Sequence, residues 1–172
     1  TGGIADVAIG YQAMDTMDDT ADELTACVAI GNKAFRGNAT STTTGADGTI
    51  AIGSEALAAL TTGAGNVAVG FNAGILQTDG AQNTLIGYGA HKAADAGEAG
   101  NVVVGYNAGS AINAATSDNN TIVGNEAAIG GAAAMSNVVV IGSGAMAGSG
   151  GNAQDGTVAI GSAALKSLTS GI

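Results

Sequence analysis

A chain of 172 residues is the size of one domain, and with 30 glycines, no proline and 3% aromatics its apolar weight rests on Ala, Val, Ile and Leu. The formal net charge is −10, with only Lys33, Arg36, Lys92 and Lys166 as cations, which excludes a nucleic-acid partner needing clustered cations and a polybasic membrane anchor. Glycine does not recur at every third position, which excludes collagen, and a mean hydropathy of +0.31 with regular apolar runs excludes disorder.

The acidic balance is expected to keep a long, exposed molecule soluble by self-repulsion. Cys27 is the only cysteine, so neither an intrachain disulfide nor a Cys-based zinc site is available. The start, Thr1-Gly2-Gly3-Ile4, lacks the charged and apolar regions of a signal peptide. No uninterrupted apolar run approaches the 18 or so residues of a spanning helix.

One phrase recurs along the chain: VAIGYQAM from Val7, VAIGNKAF from Val28, IAIGSEAL from Ile50 and VAVGFNAG from Val67. It continues as TLIGYGAH from Thr84, VVVGYNAG from Val102, TIVGNEAA from Thr121, VVIGSGAM from Val139 and VAIGSAAL from Val158. The anchor glycines are Gly10, Gly31, Gly53, Gly70, Gly87, Gly105, Gly124, Gly142 and Gly161, spaced by 21, 22, 17, 17, 18, 19, 18 and 19 residues. Three residues after each stands an alanine: Ala13, Ala34, Ala56, Ala73, Ala90, Ala108, Ala127, Ala145 and Ala164.

The three residues before each glycine are β-compatible and predict a short strand. Positions −3 and −1 from the glycine, mostly Val and Ile, point to one side. Position −2, often Ala, is expected to let another backbone approach. The glycine permits a turn that a Cβ would resist, and the alanine fits the crowded inside of the returning chain. A single coil cannot bury its apolar face, whereas stacked coils share one; nine coils at ~4.8 Å per hydrogen-bonded rung predict a rod of roughly 43 Å.

Asn66, Asn83, Asn101, Asn120 and Asn137 precede five consecutive strands, and their amides are expected to ladder along the rod. Asn137 stands one residue further from its glycine, which predicts a one-residue bulge in the strand leading to Gly142. The segments between repeats are rich in Gly, Asp, Asn, Ser and Thr and read as turns and outer loops. The longest are 15–26 and 36–48, and loops on one rim of a solenoid are where recognition usually sits.

The recurrent VAIGxxA, with Asn or Thr before it, resembles the head repeats of trimeric autotransporter adhesins and the similar repeats of phage tail fibres. The stretch LTTGAGNVAVGFNAG, Leu60 to Gly74, is of this type. The resemblance covers nearly the whole chain. It implies a left-handed parallel β-roll, three copies packed around a common axis, and attachment to a surface. The adhesin heads have a tighter repeat of roughly fourteen residues, so the spacing here favours the fibre type. No heptad stalk or barrel anchor is recognised.

Other chemistries fit less well. A hexapeptide acyltransferase needs its short motif three times per coil, and Ile9 to Ala13 supplies it once. His91, the only histidine, follows a repeat alanine where other copies have Met14, Phe35, Leu57 or Leu165, and reads as a partly buried or loop residue without the partners that orient a base. Asp15, Asp18, Asp19, Asp22 and Glu23 are a weak calcium candidate, dense in oxygen ligands but matching no EF-hand. Gly142-x-Gly144-x-x-x-Gly148 lacks the Rossmann spacing. Asn38-Ala-Thr40 and Asn119-Asn-Thr121 satisfy the glycosylation pattern, and Thr84 and Thr121 are too isolated for an ice-binding ladder.

The expectation is therefore one all-β solenoid over 1–172, a piece of a longer fibrous protein. It is expected to be a homotrimer, since a coil this thin has little interior and the Ala and Gly positions suit close subunit contact. Expected roles are a non-enzymatic fibre or adhesin segment, with a cell-surface glycan or protein receptor met by the loops of the first two repeats, or a passive spacer. No catalytic residue, cofactor or membrane insertion is expected.

Overall fold

The computed structural model describes residues 6–15, 24–37, 43–94, 97–114, 116–130, 134–148 and 154–167. Nine three-residue strands run in chain order: β1 Val7–Ile9, β2 Val28–Ile30, β3 Ile50–Ile52, β4 Val67–Val69, β5 Thr84–Ile86, β6 Val102–Val104, β7 Thr121–Val123, β8 Val139–Ile141 and β9 Val158–Ile160. They form one parallel sheet in the order β1 to β9, each strand paired only with its sequence neighbours. Every anchor phrase pairs with the same phrase in the next repeat, Ala8 with Ala29, Leu85 with Val103, Val140 with Ala159. No helix occurs among the described residues. The protein is a β-solenoid, as the repeat predicts.

The anchor glycines explain why the coils stack so closely. Those from Gly10 to Gly161 have φ between +125° and +143°, which L-residues with a Cβ rarely adopt. At Gly70 an added Cβ would stand 2.4 Å from the carbonyl oxygen of Gly87 on the next rung. Both constraints, torsion and proximity, demand glycine there.

Beyond the glycine the chain turns back through alternating left-handed residues. The second and fourth residues after each anchor have positive φ whatever their side chain: Lys33 and Phe35, Glu55 and Leu57, Gly89 and His91, Asn107 and Gly109. This geometry aims their N–H groups along the rod. The Lys33 N–H donates to Tyr11 O at 2.8 Å and the Phe35 N–H to Ala56 O at 2.8 Å, so one repeat is bonded to the coils on both sides. Each left-handed residue costs about 1–2 kcal/mol, offset by those bonds and by burial.

The interior is filled from two columns. Position −2 points inward: Ala29, Ala51, Ala68, Leu85, Val103, Ile122 and Val140 are buried. The fourth residue after the glycine meets it from the return leg, as with Phe35, Leu57, His91 and Met146. Small opposes large in places, Ala29 with Phe35, Ala51 with Leu57, Val103 with Gly109, which keeps a narrow core close-packed. A Cβ on Gly109 would already touch Val103 Cγ1, His91 Cδ2 and Ile112 Cδ1 at 3.4–3.5 Å. The repeat alanines Ala34 to Ala145 are buried as expected, with Ala13 and Ala164 half-buried at the ends. The alanines at −2 therefore face the coil's own interior and not another subunit, which removes them as a reason for subunit contact.

The asparagine ladder forms, in a different way from amide-on-amide stacking. Asn66, Asn83, Asn101 and Asn120 are buried. Their Oδ1 atoms accept from the backbone N–H groups of Asn83, Asn101, Asn120 and Val138 at 2.9–3.1 Å. Their Nδ2 groups donate to the carbonyls of Gly80, Glu98, Ser117 and Met135 on the next coil. Asp6 plays the same part below, accepting from the Cys27 N–H at 2.7 Å.

Asn137 is outside this ladder, and the expected bulge is absent. Strand β8 keeps its register with both neighbours. Val138 fills the buried slot, while Asn137 takes the exposed left-handed position just before it, with φ +58°. Asn119, Gln82 and Ala26 occupy that same position in their repeats. Asparagine tolerates the left-handed region, so the extra residue of offset reflects a different role and no insertion.

Candidate functional site

Three surfaces of the solenoid carry distinguishable chemistry. The first is the outer strand face. Positions −3 and −1 of the nine strands give eighteen side chains, sixteen Val or Ile and two Thr, and none is buried. Ile52, Ile86 and Ile141 in the middle of the sheet are 37–39% exposed. No charged side chain interrupts these positions. An apolar face of this length is unusual on a soluble monomer.

The second surface borders the first. The residue after the anchor glycine is aromatic in four repeats, Tyr11, Phe71, Tyr88 and Tyr106. Phe71, Tyr88 and Tyr106 stack in a continuous column, with ring centroids 5.1 and 5.4 Å apart and interplanar angles near 20°. Stacking covers both faces of Tyr88 and one face each of Phe71 and Tyr106, so the column is a stiffening rib along the edge of the sheet. Four of the chain's five aromatics fall at this position; aligning the repeats one column past the glycine reveals it.

The return leg is the third surface, and all four cations sit on it. Arg36, Lys92 and Lys166 occupy the fifth position after their anchors, and Lys33 the second. Lys33 Nζ lies 3.9 Å from Glu55 Oε1. Both line a cleft of about 230 Å³, together with Arg36, Ile75, Leu76 and two alanines. Loop acids, in contrast, have structural tasks. Asp47 Oδ1 accepts from the Thr25 N–H at 2.7 Å, Asp118 Oδ1 from Ala99 at 2.8 Å and Asp155 Oδ1 from Ser136 at 2.9 Å. Part of the negative charge thus caps backbone donors between coils.

Of the calcium candidate, only Asp15 lies within the described residues, exposed and bonded to Gln12 Nε2; Asp18, Asp19, Asp22 and Glu23 lie outside them. So do most of the 15–26 loop and Asn38 to Thr40, and the middle of the 36–48 loop. Among the described residues, no group of three His, Cys, Asp or Glu side chains could hold a metal, and no helix could cross a membrane. Gly142 and Gly144 belong to an ordinary repeat turn. Cys27 is buried at the column of the ladder asparagines, with its thiol bonded to backbone carbonyls; burial pushes its pKa up and away from reactivity.

His91 is fully buried, more than its sequence context suggested. It takes the place of the core Leu57, its Nδ1 makes no hydrogen bond among the described residues, and burial lowers its pKa from 6.5 to about 4. The unfolded chain therefore binds a proton below pH 6.5 that the folded chain refuses until about pH 4. Stability is full above that window and falls as pH drops through it, by up to about 3 kcal/mol. Urea midpoints at pH 7 and 4.5 test this. His91→Leu is expected to flatten the His-specific part of the decline, and an equally steep decline in the variant would refute the assignment.

Comparison with protein-family models, curated proteins and solved structures finds no match to this chain.

Proposed function

We propose that the protein is a non-catalytic segment of a trimeric attachment fibre, three parallel left-handed solenoids packed through their strand faces. The observation that carries this reading is the row of outward side chains from β1 to β9, sixteen Val or Ile and two Thr with no charge among them. Leaving that row in water forgoes roughly 25 cal/mol for each Å² that a neighbouring copy would cover. A second copy is the natural occupant, because the same uncharged, straight face recurs on every chain. The aromatic column beside it would stiffen the rim of such a contact.

The repeat spacing of 17 to 22 residues supports the phage tail-fibre type, displayed on a virion, over the head of a bacterial trimeric autotransporter adhesin. The additional length falls in the connections between repeats, and loops on one rim of a solenoid are the usual place for contact with a cell-surface glycan or protein receptor. A passive spacer is the second reading, favoured by the structural use of Asp47, Asp118 and Asp155. An acyltransferase role has little support, since the only histidine is sealed in the core.

Sedimentation equilibrium decides the assembly. The mass expected is three times the 16.2 kDa chain, and the double variant Ile86→Lys/Ile141→Lys is expected to sediment as a monomer. A stable monomer from the unmodified chain would refute the trimer.

A further inference from the structure

The cleft on the return leg joins two of the chain's four cations, including its only arginine, to an apolar floor. We propose that it binds the carboxylate of an acidic monosaccharide. The proposal deepens the attachment reading by naming a ligand class and a place.

Three features of the lining select this class. Arg36 and Lys33 against Glu55 give the lining a net charge of +1, in a chain whose total is −10. A guanidinium presents a planar fork that matches a carboxylate in bidentate fashion. Arg36 makes an interaction of its own, and its five N–H donors leave room for a second partner. Glu55, an acceptor, suits a sugar hydroxyl. Ile75 and the half-exposed Leu76 supply the apolar surface on which the C–H face of a sugar ring rests.

Size and position agree. About 230 Å³ is below the ~300–1,000 Å³ of sites for drug-sized ligands and suits a single ring. Lys33 and Glu55 follow their anchor glycines by two residues, Arg36 and Ile75 by five, so the cleft lies on the return leg and not on the strand face that copies would cover. One shallow site of this kind binds at millimolar strength, ~1 mM. Several copies on one fibre would raise the avidity without new contacts.

The test uses the 172-residue chain, with backbone amide shifts followed by NMR during titration with glucuronate, glucose and acetate. Glucuronate is expected to shift the amides around Lys33, Arg36 and Glu55, and glucose and acetate to bind at least tenfold more weakly. Arg36→Gln is expected to weaken glucuronate roughly tenfold, the loss of a charge-assisted hydrogen bond. Lys33→Gln, on a half-exposed side chain, weakens it by about threefold and guards against misfolding of the arginine variant. No shift at 20-fold the ~1 mM expectation, equal binding of glucose or acetate, or shifts confined to other regions would overturn the proposal. Sedimentation of the same samples separates the two readings: a trimer without glucuronate binding removes the cleft alone, and a glucuronate-binding monomer removes the trimer alone.

Discussion

Gly87→Ala is expected to split the solenoid near its middle. Gly87 has φ +134°, and an added Cβ would stand 2.4 Å from the Gly105 carbonyl oxygen. That oxygen belongs to the backbone and cannot swing aside as a side chain would. Relief requires the two rungs to separate, which breaks the bonds from the Thr84 N–H to Asn101 O at 2.7 Å and from the Gly105 N–H to Ile86 O at 2.8 Å. A loss of about 4 kcal/mol or more is expected, in the range reserved for severe lesions. In a stack held by nearest-neighbour terms, the measurable sign is a urea transition that divides into two steps. Gly144→Ala is the control: its φ is +64° with open space where the Cβ would go, and alanine already takes a similar torsion at Ala163. The control is expected to cost about 1 kcal/mol. Equal midpoints for the two variants would contradict the close approach of the rungs.

Asn101→Leu carries the second large effect. Asn101 Oδ1 accepts from the Asn120 N–H at 3.0 Å, and its Nδ2 donates to Ser117 O at 2.9 Å. Leucine orphans one buried donor and one buried acceptor, at about 1–3 kcal/mol each, so a loss of about 4 kcal/mol is expected in the urea midpoint. Val138 occupies the equivalent slot in its own repeat, which shows that an apolar side chain fits there and isolates hydrogen bonding as the cause. Asn101→Asp keeps the acceptor, as Asp6 does beneath Cys27, and is expected to be less damaging. A leucine variant as stable as the parent would mean that the ladder contributes nothing.

The fold was legible because a single rule, strand then glycine then alanine, is written nine times. Repetition averages out the ambiguity of any one three-residue strand, and the paired registers follow from aligning the glycines. What the alignment leaves undetermined is which strand face is the inside. A triplet such as Val-Ala-Ile looks as though its larger residues belong in the core, yet Ala29 and Ala51 are buried and Ile30 and Ile52 are not. The reason lies on the return leg, where Phe35 and Leu57 already fill the narrow interior. Asn137 departs from the ladder because spacing from the glycine, and not residue type, decides between the buried slot and the left-handed turn.

The surface features were less legible because they live between repeats. The Phe71–Tyr88–Tyr106 rib and the cations at the fifth position become visible only when the alignment is read vertically, beyond the anchor phrase. The cleft needs more still. Lys33 and Arg36 come from one repeat, Glu55 from the next and Ile75 from a third, and their convergence depends on the rise between rungs.

That rise is fixed by backbone pairing, at about 4.8 Å per strand, whether 17 or 22 residues separate the anchors. Adding residues to a connection makes the shaft locally wider and leaves its reach unchanged; only another complete repeat makes it longer. The solenoid is thus a ruler whose graduations are insulated from whatever its margins carry, so that its connecting loops can lengthen without altering the axial distance between repeats.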